Sequence, residues 1–245
     1  MSPRTAPRFR PAGAATPLIE ATAGAASSVV FGLASFVRRA RVFHPDGVAF
    51  SATVDIEGGL GSVAKGRHDA VVRFSRGAGL PESLPDILGL AIRLVDVHGP
   101  GLHQDLLLVT SGSRPGLRHA LVPGRSFGHG RWSSLLPYEI AGRRRVVFGA
   151  RPATPALDRA RRLDDLRGIV ADGAAVRFVL EVAETSGGWD EVGTLTIARV
   201  LTEDENEALR FNPANTGGGI APIGVLQTVR RRAYLGSQRG RPAPG

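Results

Sequence analysis

The sequence has 245 residues, of which 42% are hydrophobic, so it is long enough to build one domain with a sizeable core. It contains no cysteine, which excludes disulfides, a thiolate metal site and a cysteine nucleophile. The net charge is +9, but the basic residues are scattered and no basic patch is interleaved with aromatic residues, so we expect no nucleic-acid partner.

The first forty residues predict a tail followed by a helix. Residues 1–15 are rich in Pro, Arg and Ala without periodicity, which is typical of disorder. A helix is expected over residues 17–40, because Pro17 suits the first helical position. The apolar run at residues 24–37 is too short to cross a bilayer comfortably, and arginines follow it at once. We therefore expect a docked helix rather than a signal peptide, no membrane span and a cytoplasmic protein.

The rest of the chain shows strand patterns separated by turns, with helical patterns towards its end. Strands are predicted at residues 48–56, 70–75, 89–96, 105–110, 176–184 and 192–200, the last two forming a hairpin around Gly187 and Gly188. Helical patterns occupy residues 154–171, 202–209 and 223–236, and residues 111–145 form the longest irregular connection. This order predicts an α+β domain around an antiparallel sheet or barrel. No linker divides the domain, which we expect to span residues 16–239, with a second tail at 240–245.

Tyr234 is the most informative candidate site residue. Arg230 precedes it by four residues, so one turn of helix would bring the guanidinium close to the phenol oxygen. A nearby positive charge favours the phenolate, and a tyrosinate is one of the few protein groups that ligate haem iron. The R-x-x-x-Y spacing alone specifies no site, because the chain is rich in Arg.

Three further segments accompany it in a fixed order along the chain. The four segments are Arg41-Val-Phe-His44-Pro-Asp-Gly47, then Val72-Arg73-Phe74-Ser75, then Asp86-Ile-Leu-Gly89-Leu-Ala91-Ile-Arg93 leading to Asp105, and finally Phe211-Asn-Pro213-Ala214-Asn215 followed by Gly219, Pro222, Leu226-Gln227 and Arg230-x-x-x-Tyr234. In this order they resemble the core of the haem catalases, and of their short relatives that lack the C-terminal domain. The resemblance runs from about residue 38 to residue 239 and is patchy over residues 111–175.

The resemblance implies a closed antiparallel β-barrel with haem b, the iron protoporphyrin, bound against one side. The residues that it assigns to the cofactor are Arg41, Arg73, Arg230 and Tyr234, and those that it assigns to catalysis are His44 and Ser75. Tyr234 would be the axial ligand, and Arg73 would pair with a haem propionate. His44 would be the distal base, and Ser75 would accept the second N–H of its imidazole.

These roles suit the chemistry of peroxides. Cleavage of the O–O bond requires a proton to move from the inner to the outer oxygen. A neutral histidine such as His44 can carry out this transfer, first as general base and then as general acid.

The chain departs from the catalases on the distal side. Where they carry an Asn that helps to bind peroxide, this chain offers only Thr110 or Ser111, and the aromatic pair that follows is missing. Phe43 stands in place of the small residue that usually precedes the distal histidine. The long wrapping region and the C-terminal helical domain are also missing, because the sequence ends eleven residues after Tyr234.

We therefore expect a haem-dependent catalase- or peroxidase-like enzyme that acts on hydrogen peroxide. Small organic or lipid hydroperoxides stay open as substrates, because the allene oxide synthase branch shares this barrel. The alternative is a non-enzymatic barrel that carries haem, or one that has lost haem and binds another apolar ligand. The sequence leaves open whether the protein forms a homo-oligomer.

Overall fold

The computed structural model describes residues 47–223, with gaps at 59, 78–79, 82–83, 143 and 185–186. The helix expected at 17–40 therefore lies outside the described residues, as does the helix expected at 223–236 beyond its first residue.

Ten strands and two α-helices make up most of the described chain. The strands are β1 (Gly47–Ile56), β2 (Gly66–Arg76), β3 (Leu88–Leu94), β4 (Gln104–Ser111), β5 (Arg131–Ser133), β6 (Tyr138–Ile140), β7 (Arg144–Pro152), β8 (Val176–Glu184), β9 (Asp190–Val200) and β10 (Ile220–Pro222). The helices are α1 (Leu163–Ala171) and α2 (Glu203–Ala208), and two single 3₁₀ turns lie at Pro115–Leu117 and Pro155–Asp158.

Eight of the strands close into an antiparallel barrel in the order β1, β2, β3, β4, β5, β7, β8 and β9. The ring closes through β9 and β1, which run antiparallel with Val54 opposite Leu195. Strands β6 and β10 extend the sheet beside the first residues of β7. Closure leaves the eight barrel strands without an open edge. The predicted class, an α+β protein built on an antiparallel barrel with flanking helices, is confirmed.

The barrel interior is filled by side chains rather than by a ligand cavity. Because neighbouring residues of a strand point to opposite faces, Val72 and Phe74 of β2 enter the core, where both are fully buried. Phe74 packs against Trp132 and Phe178, with ring centroids 6.1 and 5.7 Å away. The residues that alternate with these core positions face outwards, so a site on β2 has to lie on the outer face.

The predicted strands are all present, with ends that move by a few residues. The irregular connection at 111–145 also contains β5, β6 and the start of β7. Strands β5 and β6 have three residues each, which is too short for a period of two to be recognised in the sequence.

The helical pattern at 154–171 forms two pieces, a 3₁₀ turn and α1, rather than one helix. The loop before β5 explains the interruption. The N–H groups of Phe127 and Gly128 donate to the carbonyls of Ala160 and Leu157 at 2.8 and 2.9 Å, and a continuous helix would use those carbonyls itself. The carboxylate of Asp165 then begins α1 by accepting from the backbone N–H of Arg162 at 2.8 Å.

Candidate functional site

Two of the six predicted site residues, Arg73 and Ser75, belong to the part of the chain that the structure describes. The other four lie outside the described residues, namely Arg41, His44, Arg230 and Tyr234. Their roles therefore stay predictions, and the described site is the surface around Arg73 and Ser75.

Arg73 and Ser75 lie two residues apart on β2 and share its outer face. In the register of the sheet, Ser75 stands between Gly47 of β1 and Gly89 of β3. Arg73 stands between Ala49 and Ala91 of the same two strands. The strands that flank these two polar side chains thus present only glycine and alanine. We call this surface of β1, β2 and β3 the small-residue face.

The guanidinium of Arg73 lies directly over Gly47. A Cβ added to Gly47 would be 2.3 Å from Arg73 Cζ, which is far closer than two carbon atoms can approach. Glycine at position 47 is thus what allows the guanidinium to rest on β1. A half-buried guanidinium held flat against a strand is well placed to pair with a planar carboxylate.

Ser75 is buried, with 7% of its surface exposed, although it faces away from the core. No described residue forms a hydrogen bond with its hydroxyl group. Its hydroxyl oxygen is therefore able to accept a hydrogen bond from a donor outside the described residues. The imidazole of His44 stays the predicted donor, and His44 lies three residues before Gly47 in the sequence.

Neither residue at the position of the missing distal Asn offers a hydroxyl beside Ser75. Thr110 belongs to the inward-facing set of β4, and its hydroxyl accepts the backbone N–H of Leu88 at 3.2 Å. Ser111 lies on the outer face, but its hydroxyl donates to the carbonyl of Arg131 at 3.3 Å. The structure therefore shows no direct replacement for that amide among the described side chains.

The first residue of β1 is held by α2. The Nδ2 of Asn206 donates to the carbonyl oxygen of Gly47 at 3.0 Å. The sequence signal for this helix is the capping box formed by Thr202 and Glu205, and the short helix predicted at 202–209 is confirmed. The contact with Gly47 could not be read from the sequence, because 159 positions separate the two residues.

Asp105 fastens the segment that contains the Phe211–Asn215 motif onto the barrel. Its carboxylate accepts two hydrogen bonds from Arg93, each at 2.7 Å. It also accepts from the backbone N–H of Asn212 at 2.7 Å and from the side chain of Asn215 at 3.0 Å. The carboxylate is fully buried, and these hydrogen bonds offset the free-energy cost of burying its charge. These hydrogen bonds give the third and fourth sequence segments a structural role. They do not identify a ligand for either segment.

A second polar cluster, which the sequence did not reveal, covers the outer face of β5, β7 and β8. The indole ring of Trp189 lies between two guanidinium groups, with Arg118 at 5.0 Å and Arg131 at 4.9 Å from its centroid. The ring rests on Gly149, where an added Cβ would be 2.4 Å from a ring carbon. Arg131 also pairs with the buried carboxylate of Glu181 at 3.4 Å. We call these residues the Trp189 cluster.

The Trp189 cluster is a buried charge network in which Arg118 Nε, Arg131 Nε and Glu181 Oε2 have no hydrogen-bond partner among the described residues. Arg118 is fully buried and donates to the carbonyls of Glu184 and Gly187, both at 2.7 Å. Burial raises the pKa of Glu181, although attraction to Arg131 and Arg151 opposes that shift. The network ties the loop before β5 and the β8–β9 turn to the barrel wall, which is a structural task.

One cavity, of about 350 Å³, lies on β6 and β7. Its lining includes His119, Glu139 and Arg145 together with Ile223, where the described chain ends. The Nδ1 of His119 makes a hydrogen bond with the carbonyl of Leu135 at 2.6 Å. Strand β7 stands across the barrel from β2, so this cavity is separate from the small-residue face.

The described residues lack two further features. They contain no group of three or more His, Asp or Glu side chains that could hold a metal ion. No helix within these residues is both long and apolar enough to cross a membrane.

Comparison with known proteins shows the fold. The chain is similar to the solved structure of catalase A from Saccharomyces cerevisiae, with a TM-score of 0.63 and 12% sequence identity. The alignment covers 98% of this chain and 68% of that chain. No protein-family model matches the sequence, and no curated protein matches it either. The chain therefore has the fold of the catalase core, an eight-stranded antiparallel barrel, and at this identity the likeness shows the fold alone.

Proposed function

We propose that this protein binds haem b against the small-residue face and reacts with a peroxide there, as a catalase-like protein. The observation that carries the proposal is the placement of Arg73 and Ser75 on one face, with glycine or alanine at each position directly paired with them. Only glycine or alanine stands directly beside Arg73 and Ser75 on the neighbouring strands, so the guanidinium can lie close to the backbone of β1. The catalase fold of the barrel supports the same conclusion.

The residues present fit the group that this fold implies. The guanidinium of Arg73, resting on Gly47, would hold a propionate through charge-assisted hydrogen bonds. Tyr234 would hold the iron through its phenolate, with Arg230 favouring the ionised form and Arg41 adding positive charge for the cofactor. The bound haem would supply the redox-active iron on which peroxide chemistry depends.

The proton transfer would be carried out by His44. Its imidazole would take the proton from the inner peroxide oxygen and return it to the outer oxygen. The buried hydroxyl of Ser75 would accept the second ring N–H, which fixes the tautomer that leaves the other nitrogen free to act as the base. The substrate class in this proposal is hydrogen peroxide or a small organic or lipid hydroperoxide.

One observation favours a second candidate, a barrel that binds haem without rapid peroxide turnover. The hydroxyls of Thr110 and Ser111 are both used by backbone partners, so neither is aimed at a substrate beside Ser75. Under this alternative the haem would be carried or sensed, and peroxide would react with it slowly.

Titration with hemin of matched arginine variants tests the proposal. Arg73→Ala should weaken haem binding by about 10- to 100-fold, as expected for the loss of charge-assisted hydrogen bonds. Arg67→Ala is the control, because Arg67 lies on the same face of β2 but is exposed and bonds only to Thr53 among the described residues. Equal affinities for the two variants would contradict the proposal. Normal haem affinity with negligible peroxide turnover would favour the second candidate.

A further inference from the structure

Strand β4 borders the small-residue face, and the residues that it presents there are apolar. The register of the sheet pairs Val109 of β4 with Gly89, the residue that stands beside Ser75. Leu107 pairs in the same way with the alanine that stands beside Arg73. Both residues therefore lie on the outer face, level with the two polar side chains and two strands away, which is about 10 Å. We call Leu107 and Val109 the β4 border.

The β4 border is unusual for the outer face of an antiparallel barrel. A sheet with one face in water normally alternates apolar and polar residues along each strand. Strand β4 instead reads as four consecutive apolar residues from Leu106 to Val109. Leu106 and Leu108 belong to the core, whereas Leu107 points outwards and is still only 8% exposed. The border therefore offers an apolar surface where a polar one is expected.

The next residue in the row also has no donor for a ligand. Beyond Val109, the row that contains Ser75 reaches Ser133 of β5. The hydroxyl of Ser133 donates to the carbonyl of Arg118 at 2.8 Å and accepts from the N–H of Leu135 at 2.9 Å. Between β2 and β5, the hydroxyl of Ser75 is thus the one side-chain donor in the described row that no described acceptor uses.

A strained loop backs the border with a fixed apolar layer. Val109 packs against Leu135 and Leu136. Leu135 has a φ of 57°, a left-handed conformation that is uncommon for a residue with a side chain. Its carbonyl accepts a hydrogen bond from Nδ1 of His119 at 2.6 Å, which helps to hold that conformation. Such strain persists only where the surroundings enforce it, and it is concentrated at ligand sites.

We infer that the β4 border makes the site selective for organic hydroperoxides over hydrogen peroxide, with Val109 as the specificity-determining residue. This inference rests on the proposed function. Hydrogen peroxide is polar at both oxygens, and removing either from water without a hydrogen-bond partner is costly. An organic hydroperoxide has one polar end and one apolar group, and the apolar group gains free energy by leaving water for Val109 and Leu107.

The first test compares two peroxides in the haem-loaded protein, with a phenol as the electron donor. When the O–O bond breaks, two phenol molecules supply the two electrons and two protons that convert a hydroperoxide into an alcohol and water. The unmodified protein should have a kcat/KM at least about tenfold higher for cumene hydroperoxide than for hydrogen peroxide. Val109→Asn should lower the first value and raise the second, each by about tenfold and mainly through KM.

Val179→Asn is the matched control, because Val179 is a partly buried valine on the outer face of β8. The same preference in Val109→Asn and Val179→Asn would overturn the inference. Val109→Thr keeps the branched shape while adding a hydroxyl, and it replaces the asparagine variant if that variant folds poorly. Val109→Ala keeps the border apolar, so a gain in hydrogen peroxide turnover in this variant would show that size rather than polarity decides, and would also overturn the inference.

The second test measures binding without turnover. Equilibrium dialysis of the haem-loaded protein gives the Kd of 2-phenyl-2-propanol, the alcohol that cumene hydroperoxide leaves behind. Val109→Asn should raise this Kd by about tenfold, whereas Val179→Asn should leave it unchanged. An unchanged Kd in Val109→Asn would contradict a contact between the apolar group and the β4 border.

Failure of this inference can be distinguished from failure of the proposed function. If the unmodified protein binds no hemin, the proposed function fails and the inference fails with it. If the protein binds hemin and turns over peroxides, but prefers hydrogen peroxide and responds equally to Val109→Asn and Val179→Asn, the proposed function stands and only the role of the β4 border is refuted.

Discussion

Two glycines on opposite parts of the barrel wall carry flat groups, and their surroundings differ. At Gly149, the indole ring of Trp189 lies between two guanidinium groups, and its Nε1 donates to the carbonyl of Ser113 at 3.1 Å. At Gly47, the guanidinium of Arg73 lies on a wall of glycine and alanine, next to the Ser75 hydroxyl that has no described partner. In both places a glycine allows a flat side-chain group to lie against the strand, but only the group at Gly47 has an unpartnered hydroxyl beside it.

The comparison shows how a filled barrel can still carry a site. Large side chains pack the interior and also the outer wall around Trp189, so those regions contribute stability. The small-residue face has polar groups at fixed positions and little side-chain volume between them. We take that combination, rather than the cavity on β6 and β7, as the mark of the proposed site.

The largest effect is expected from removal of the predicted axial ligand. Tyr234→Phe should reduce haem occupancy by more than about tenfold after reconstitution with hemin. Removing an iron ligand should weaken haem binding more than removing a residue that only supports a ligand, which typically costs about 10- to 100-fold. Occupancy is measured as the ratio of the haem absorbance to that of the protein. Tyr138→Phe is the matched control, since Tyr138 is the chain's other tyrosine and lies fully buried against Phe148. If both variants retain haem equally, Tyr234 is not the ligand.

The next effect concerns the proton transfer. His44→Ala should retain haem but lose peroxide turnover by about 10²- to 10⁴-fold, the usual contribution of a general acid–base group. Steady-state rates at several peroxide concentrations measure the loss, with His129→Ala as the control because His129 is exposed. A His44 variant with full turnover would remove this residue from the mechanism.

Matched alanine substitutions at the two glycines test the comparison directly. Gly149→Ala should destabilise the protein by about 1–3 kcal/mol, because the new methyl group would displace the Trp189 ring from its packed position in the cluster. Haem affinity should be unchanged in this variant. Urea denaturation and hemin titration give the two numbers.

Gly47→Ala should give the opposite pattern. The end of a flexible side chain can move aside, so we expect a change in stability of less than about 1 kcal/mol. The displaced Arg73 should cost about tenfold in haem affinity. A Gly47→Ala variant that binds haem normally, or a Gly149→Ala variant that binds it poorly, would break the distinction between the two surfaces.

The smallest effect involves the anchor of α2. The side chain of Arg199 and the backbone N–H of Thr202 both bond to Glu205 and lower the pKa of its carboxyl group to about 2. Stability from this lowered pKa is fully present above the unfolded value of 4.5 and is lost as the pH falls through about 2. Glu205→Gln should lower Tm at pH 7 by at most about 3 °C, because the pair is exposed. The difference from the unmodified protein should shrink between pH 4.5 and pH 2, whereas a constant difference would contradict this origin.

Much of the fold could be predicted from the sequence, because long strands are recognisable from hydrophobic residues that recur at every second position. The same period placed Arg73 and Ser75 on one face of β2. The contact between Asn206 and Gly47 could not be predicted, and neither could the hydrogen bond that the Asn215 side chain donates to Asp105. In both cases the folding of the barrel brings residues together that are distant in the sequence. The Trp189 cluster was missed for the same reason, since its members come from the loop before β5, the β8–β9 turn and the barrel wall.

The absorption spectrum of the purified protein, produced with ample haem supply, tests the central claim most directly. We predict a strong Soret band with the visible bands of a tyrosinate-ligated, high-spin ferric haem. A protein without a Soret band, even after reconstitution with hemin, would contradict the account and leave the small-residue face without its proposed ligand.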